Sequence, residues 1–322
     1  MASFRFGIVM DPIATIAPAK DSSLAMLLAA QSRGHEIIYF EQADLRLDDG
    51  IARGDGRSLR VTDDPDQWYE LGSREDMNLS DLHVILMRKD PPFDTEYIYT
   101  TYILERAELA GALIVNRPAA LRNINEKVFT AWFADCCPAT LITRSIPRLR
   151  DFMRRHGKIV MKPLDGMGGR SIFVIDQQDH NANVVFETLT DLGTRYAMAQ
   201  AFIPEITSGD KRILLVNGEP APFALARIPP PGDNRGNLVV GAQAEVRPLT
   251  DRDRWICAQV GPVLRGQGIL FAGLDVIGDY LTEVNVTSPT GIRELAQLAD
   301  IDVAAQLIDA IESAVGAHSD IE

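Results

Sequence analysis

Lys162 closes the apolar run Ile159-Val160-Met161 and is followed at once by Pro163-Leu164-Asp165-Gly166-Met167-Gly168-Gly169-Arg170-Ser171. Three glycines in four residues let backbone N–H groups approach a phosphate closely, and a lysine on the preceding strand adds a fixed positive charge. Taken alone, the turn fits a phosphate cradle and a plain hairpin alike; it is not the Gly-x-x-x-x-Gly-Lys-[Ser/Thr] of a P-loop. A second constellation runs from Leu274 to Thr287, where Glu283, Asn285 and Thr287 alternate with Val284 and Val286. That alternation puts the oxygen-bearing side chains on one face of a strand. With a three-residue turn around Gly278-Asp279, Asp275 would lie opposite Glu283. Two carboxylates and an amide oxygen suit Mg²⁺, which takes few protein ligands and completes its shell with phosphate and water. A solvated polar face explains Asn285 and Thr287 equally well, but not two acids sharing that face without a cation. The third set is basic: Lys211 and Arg212 open one strand, Arg227 closes the next and Arg235 follows. Together they could neutralise a transferred phosphoryl group, although any one of them also fits a surface ion pair.

These residues need a scaffold, and the pattern supplies one. Phe6-Gly7-Ile8-Val9-Met10 reads as a strand stopped by Asp11-Pro12. Asp21-Ser22-Ser23 caps a helix carrying Leu24, Leu27 and Leu28, Gly34 ends it, and Glu36–Phe40 is the next strand. This βαβ unit predicts a parallel sheet with ligand-holding loops at the carboxyl ends of its strands. The first such loop, Asp11-Pro12-Ile13-Ala14, is not Gly-x-Gly-x-x-Gly, which disfavours a dinucleotide there. Strand Val84–Met87, the turn Arg88-Lys89-Asp90-Pro91-Pro92, a helix from about Thr95 to Ala110 and strand Leu113–Val115 continue the pattern to Pro118. After Asn125-Glu126-Lys127, strands joined by tight turns favour an antiparallel second domain. Asn217-Gly218, between Ile213–Val216 and Pro222–Leu225, predicts a hairpin with a type I′ turn. Ile228 to Gly241 is too polar and too broken for an element, and reads as an active-site lid or as a surface loop.

The chain has 322 residues, 46% hydrophobic and 24% charged, which is the balance of a folded protein of two domains or two lobes. Its 32 basic and 45 acidic residues leave a net charge of −13, so nucleic acid and acidic membranes are disfavoured partners. Three cysteines, Cys136, Cys137 and Cys257, form no metal-ligand spacing and fit small buried or half-buried positions in a reducing compartment. Met1 to Met10 lacks the apolar core of a signal peptide, and no run has the ~20 apolar residues of a membrane span, so the expected location is the cytoplasm.

Four runs then carry a resemblance. Gly7-Ile8-Val9-Met10-Asp11-Pro12-Ile13, Met87-Arg88-Lys89-Asp90-Pro91-Pro92-Phe93-Asp94, Lys162-Pro163-Leu164-Asp165-Gly166-Met167-Gly168-Gly169 and Glu283-Val284-Asn285-Val286-Thr287-Ser288-Pro289-Thr290 resemble the bacterial glutathione synthetases, a family of ATP-grasp ligases. The order is the family's and nearly the whole chain is covered; beyond about Leu298 little is added. The resemblance implies an α/β (α+β) chain, with an N-terminal parallel-sheet βαβ substrate domain over 1–124 and a two-lobed ATP-grasp domain with antiparallel sheets over 125–322. Within the grasp, the small central lobe would span 125–204 and the C-terminal lobe 205–322, with its lid at about 228–244.

By the same resemblance, Lys127 and Lys162 would reach the phosphates of ATP, and Gly166, Met167, Gly168 and Gly169 would cover them. Gln200, Ala201, Phe202 and Ile203 would line the adenine and Asp210 would face the ribose. Asp275, Glu283 and Asn285 match the magnesium ligands, with Mn²⁺ as the alternative ion. Asp11, Ser23, Arg88, Asp90, Arg235, Asn237, Ser288 and Thr290 would shape the substrate pockets. The implied reaction joins γ-glutamylcysteine to glycine at the expense of ATP through an acyl phosphate, with Arg212 on the oxyanion and Arg227 and Lys162 on phosphate. A homotetramer is also implied. Another acid or amine substrate, or a silent nucleotide-binding regulator, are the rival readings; the regulator predicts a broken metal set or a missing phosphate lysine, and neither defect is present. One departure from the family's pattern stands out: Val239-Val240-Gly241-Ala242 replaces the small, glycine-rich residues expected in the lid, which narrows its backbone freedom.

Overall fold

The computed structural model describes residues 3–230, 232 and 243–319. The N-terminal region comprises β1 (Arg5–Val9), α1 (Ser22–Ser32), β2 (Glu36–Phe40), β3 (Leu45–Asp48), β4 (Ile51–Val61), β5 (Tyr69–Asn78), β6 (Val84–Met87), α2 (Thr95–Glu108), β7 (Leu113–Val115) and α3 (Pro118–Asn123). Asp21 caps α1 by accepting from Leu24 N at 2.6 Å, and Asp94 caps α2 through Tyr97 N at 2.9 Å. Strands β2, β1, β6 and β7 pair in parallel, as the βαβ reading predicts.

Beyond this parallel part the sheet is mixed: β3, β4 and β5 extend it antiparallel in the order β3-β4-β2-β1-β6-β7, with β5 also on β4. The buried face of β4 carries Ala52, Gly54 and Gly56 before Leu59 and Val61, so it shows no run of large apolar residues. The reason is space. A Cβ on Gly54 would meet the Phe40 ring at 2.7 Å, and one on Gly56 would meet it at 2.8 Å. Glycine here makes room for an aromatic ring on the neighbouring strand.

The central sheet is built from β8 (Thr140–Thr143), α4 (Ile146–His156), β9 (Ile159–Pro163), β10 (Phe173–Ile175), α5 (Ala182–Thr190) and β11 (Ala197–Ala201), in the strand order β10-β9-β11-β8. Its pairs are all antiparallel, and α4 and α5 cover one face around Leu149, Phe152, Phe186 and Met161. The last region holds β12 (Asp210–Val216), β13 (Glu219–Pro220), β14 (Phe223–Ile228), β15 (Gln243–Pro248), α6 (Asp251–Gly266), β16 (Phe271–Ile277), β17 (Tyr280–Asn285), α7 (Ile292–Ala299) and α8 (Val303–Ser319). The sheet is antiparallel, in the order β15-β14-β12-β16-β17. Asn217 (φ 49°) and Gly218 (φ 79°) make the two-residue turn from β12, and Val216 pairs with Glu219 as a type I′ turn requires. The returning strand breaks after Pro220 and resumes at Phe223, so the hairpin partner is two short strands where the sequence suggested one.

The chain end is structural. Leu307, Ile308 and Ile311 of α8 share a core with Leu24 and Leu27 of α1, and Arg33 pairs with Asp309 at 2.6 Å and Glu312 at 3.1 Å. A second tie joins the first sheet to the last. Buried Asn116, just after β7, donates to the carbonyls of Phe271 and Val286, each at 2.7 Å, and accepts from Leu270 N and Phe271 N at 2.9 and 3.0 Å. All four hydrogen-bonding capacities of the amide are used. Asn116→Leu would strand backbone groups at the start of β16 and just past β17, so it is expected to lower the unfolding free energy by about 3 kcal/mol or more. Urea denaturation of the two proteins measures the difference.

Candidate active site

A cavity of about 310 Å³ opens between the central and C-terminal sheets. Its apolar lining is formed by Val160, Ile172, Val174, Phe202, Ile203, Ile206 and Ile277, with Gln200 and Ala201 also on the wall. Gln200 is held by its Nε2 donating to Thr140 Oγ1 at 3.2 Å. Lys127, Lys162 and the turn Gly166–Gly169 also line it, as do Asp210, Arg212, Arg227, Asp275, Glu283 and Asn285, together with Asp90, Ser288, Pro289 and Thr290. Gly168 (φ 66°) and Gly169 (φ 75°) adopt the left-handed backbone that favours glycine. The two catalytic strands β12 and β16 pair so that Arg212 faces Asp275, and β16 and β17 pair so that Asp275 faces Glu283.

That last register is reached by a different route from the one expected. Ile277 pairs with Tyr280, so the turn holds two residues, Gly278 and Asp279, and Val276 pairs with Leu281. A bulge between Asp275 and Val276 then skips Thr282 and restores the alignment with Glu283. The Thr282 hydroxyl donates to the Asp275 carbonyl at 3.1 Å, which pins the bulge.

The electrostatics turn on buried Asp275. Arg212 grips it with Nε to Oδ1 at 2.5 Å and Nη2 to Oδ2 at 3.0 Å, while Arg227 Nη2 lies 3.0 Å from Oδ2. Burial alone would raise its pKa, but Arg212 and then Arg227 outweigh burial and hold it well below the usual carboxylate range. Arg227 also donates to Asp210 Oδ2 at 2.5 Å. Burial would lower the Arg227 pKa, yet Asp210 and Asp275 raise it. Asp210 behaves oppositely: burial, opposed by Arg227 and reinforced by Asp275 and Glu283, pushes it up to about 6, and its Oδ1 has no partner. On the neighbouring strand, Lys127 Nζ and Lys162 Nζ both approach Glu283 Oε1, at 3.7 and 4.0 Å.

Among the sequence-derived candidates, Arg88 and Ser23 lie just behind the cavity wall. Arg88 donates to Ser23 Oγ at 3.0 Å and to the Pro289 carbonyl at 3.1 Å, and its buried Nη1 has no partner. Asp11 accepts from Asp90 N at 2.9 Å and pairs with Lys89 at 2.8 Å, while Ser288 Oγ donates to Asp90 at 2.5 Å. Lys211 does not join the basic set. Alternation along β12 turns it to the other face, where it donates to buried Asp253 at 2.5 Å and to the Gly278 carbonyl at 3.0 Å. Arg235, Asn237 and most of the expected lid, with its Val239-Val240-Gly241-Ala242 departure, lie outside the described residues. Glu126 went unread: it lines the cavity and holds Lys127, and its only sequence signal was adjacency to that lysine. Burial lifts the Cys137 and Cys257 thiols to about 12, so they are protonated at neutral pH.

Similarity to known proteins follows the same lines. The sequence models of the prokaryotic glutathione synthetase N-terminal domain and ATP-grasp domain match residues 4–122 and 126–300. The chain belongs to the prokaryotic glutathione synthetase family. It is 57% identical over 312 residues to the glutathione synthetase of Shewanella oneidensis, covering 97% of this chain and 99% of that protein. It is likewise 57% identical over 309 residues to the one from Salmonella typhimurium, covering 96% and 98%. The D-cycloserine synthetase DcsG shares the fold, with a TM-score of 0.69 at 13% identity over 97% of this chain and 99% of that one. Family membership makes the chain an ATP-dependent ligase, and the cavity described above is its candidate active site.

A divalent ion fits the donor set in part. Among the described residues, Glu283 meets Lys127 and Lys162 at ion-pair distance, and Asn285 directs its amide nitrogen toward Asp275 at 3.3 Å. Both Asp275 oxygens accept from arginines, so an ion reaching that carboxylate would have to share it with Arg212 and Arg227. Among the described residues, no three acidic, histidine or cysteine side chains converge as a metal cluster.

Two outcomes follow. Asp275→Asn leaves Arg212 and Arg227 buried without their shared anion and is expected to cost about 3–5 kcal/mol of stability, measurable by denaturant titration. Asp210, whose pKa is raised in the fold, binds its proton more readily there than in the unfolded chain. The stability of the wild type relative to Asp210→Asn is therefore expected to rise as the pH falls from about 6 toward 4, and to be lost again as the pH climbs. Thermal melts of both proteins across that range check the sign.

Proposed function

We propose that this chain joins γ-glutamylcysteine to glycine, converting ATP to ADP and phosphate and releasing glutathione. The observation that carries the reading is one cavity lined by apolar residues around Phe202 and Ile203, two lysines and a glycine turn, two arginines, and the polar residues Asp90, Ser288 and Thr290. Each set suits one part of the reaction. The apolar lining at Phe202 and Ile203 takes the adenine, Asp210 faces the ribose, and Lys127, Lys162 and Gly166–Gly169 hold the phosphates. The partnerless Nη1 of Arg88, behind Asp90, Ser288 and Thr290, offers a charge to an anionic dipeptide. Asp11 and Ser23 hold the loops that shape this part of the cavity, and Arg235 and Asn237 belong to the lid that would close over glycine.

The chemistry has two steps. A carboxylate oxygen of the cysteinyl residue attacks the γ-phosphorus, ADP leaves, and an acyl phosphate forms. The glycine amine, having lost a proton, then attacks the carbonyl carbon, and phosphate departs with the former carboxylate oxygen. Arg227 and Lys162 face the phosphoryl oxygens, while Arg212 meets the oxyanion of the tetrahedral intermediate. A divalent ion, Mg²⁺ with Mn²⁺ as the alternative, would be held by Glu283, Asn285 and Asp275, and supplies charge neutralisation to the nucleotide when bound. Residues 1–124 act as the substrate domain, and 125–204 and 205–322 as the two lobes of the grasp. The assembly is proposed to be a homotetramer in the cytoplasm; among the described residues no helix is long and apolar enough to cross a membrane.

Mass spectrometry of a reaction containing ATP, Mg²⁺, γ-glutamylcysteine and glycine should show a product heavier than the dipeptide by one glycyl residue. ADP release only with a different acid or amine would overturn the substrate assignment. In the same assay, Arg212→Ala is expected to lower kcat by about 100- to 1000-fold with little change in the KM for ATP.

A further inference from the structure

Among the described residues, acids and bases around the proposed phosphate site are equal in number. Glu126, Asp210, Asp275 and Glu283 stand against Lys127, Lys162, Arg212 and Arg227, and every one of the eight lines the same cavity. Lys127 is the most deeply placed of the lysines, with its side chain 2% exposed. Its ammonium bonds the Glu126 carboxylate, donates to the Gly166 carbonyl at 2.7 Å and lies 3.7 Å from Glu283 Oε1. It thus bridges two acids and a loop, which is more than a phosphate contact in waiting would need.

Two backbone observations make this bridge stiff. The Glu126 carbonyl accepts from Val284 N at 2.8 Å, between Glu283 and Asn285, so the lysine segment and the proposed metal strand form one unit. Asn125 accepts from the N–H groups of Lys127 and Val128 at 3.1 and 2.9 Å and donates to the Leu164 carbonyl at 3.0 Å. The glycine turn is therefore tied at Leu164 and Gly166 to the same unit.

We propose that Lys127 is a surrogate cation: in the nucleotide-free enzyme it neutralises Glu126 and Glu283 in place of the divalent ion and latches the glycine turn through the Gly166 carbonyl. This inference rests on the reading of Glu283 and Asn285 as metal ligands. Its consequence is a binding order. A divalent ion entering alone would face Lys127 and Lys162 around Glu283 with no added anion, and like charges at such distances repel strongly in a half-buried site. A triphosphate arriving with the ion would bring anionic oxygens to Lys127 and Lys162, drawing Lys127 off Glu283 and Glu126 and freeing Gly166. Metal and nucleotide then bind with positive coupling, and by linkage each tightens the other.

The latch makes Lys127 an opponent of metal binding in the free enzyme, the reverse of what a residue serving only the phosphates would show. Titration of nucleotide-free protein with Mn²⁺, followed by the electron paramagnetic resonance of the free ion, reads this directly. Lys127→Met is expected to tighten Mn²⁺ binding by about tenfold or more, whereas Lys127→Arg, which keeps the charge, leaves it weak. Amide hydrogen exchange at residues 166–169 is expected to quicken in Lys127→Met. The gain in Mn²⁺ affinity should vanish in the double variant Lys127→Met/Glu283→Gln. Unchanged Mn²⁺ affinity in Lys127→Met, with Mn²⁺ still retained by the wild type in the presence of ATP and lost in Glu283→Gln, would overturn the surrogate role and leave the metal site standing. Equal tightening with and without Glu283 would overturn the metal site and the inference together. If Lys127→Met does not fold, Lys127→Gln carries the same comparison.

Discussion

A carboxylate can be buried in the middle of a sheet only if cations come with it, and Asp275 is buried beside two. The rest of the site is arranged around that requirement. Arg212 reaches it from the paired position on β12, and Arg227 reaches it from β14 while also holding Asp210 at the start of β12. Three strands are thereby locked in register by charge as well as by backbone hydrogen bonds. Because the arginines are held by acids and not by solvent, they are fixed in place before any anion arrives, which is the preorganisation an electrostatic site needs.

The same lock has a limit. Charges gathered in one cavity must be placed to within a fraction of an ångström, and they come from segments far apart in the chain. Asn116 supplies one of the joints, with all four of its hydrogen bonds tying the end of β7 to β16 and to Val286 beyond β17. Glu126 supplies another by accepting from Val284 N. Helix α8 supplies a third through Arg33, Asp309 and Glu312, although its own sequence carries no site residue. Asn116, Arg33, Asp309 and Glu312 are not in the cavity lining, and Glu126 is part of it. Each joint fixes the distance between groups that line the cavity.

Much of the scaffold was legible in the sequence, and what was not has identifiable causes. Alternating Glu283, Val284, Asn285 and Val286 announced a strand with an oxygen-lined face, and Asn217-Gly218 announced its turn, because both depend on local backbone geometry. Strands β3 to β5 were missed, since Gly54 and Gly56 sit where apolar residues would ordinarily mark a buried face, and the reason lies in Phe40 on another strand. Lys211 was misplaced with the phosphate cations although its neighbour Arg212 was not; alternation would have separated them, but only the packing of Asp253 shows which of the two faces the cavity. Glu126 was passed over because its value comes from Lys127, Gly166 and Glu283 meeting in space.

The bulge at Asp275 shows how narrow the margin between these outcomes is. With a regular two-residue hairpin from Ile277 and Tyr280, Asp275 would face Thr282, and Glu283 would be carried one place further along the strand, onto the opposite face. Val284 would then point into the cavity and the two acids would no longer share it. One skipped residue prevents this, and the Thr282 hydroxyl on the Asp275 carbonyl holds the skip in place. The turn alone therefore does not decide whether this strand pair can offer oxygens to a cation. The bulge decides it, by converting a hairpin whose side chains would alternate out of phase into one whose acids share the cavity, Asp275 against the two arginines and Glu283 against the two lysines.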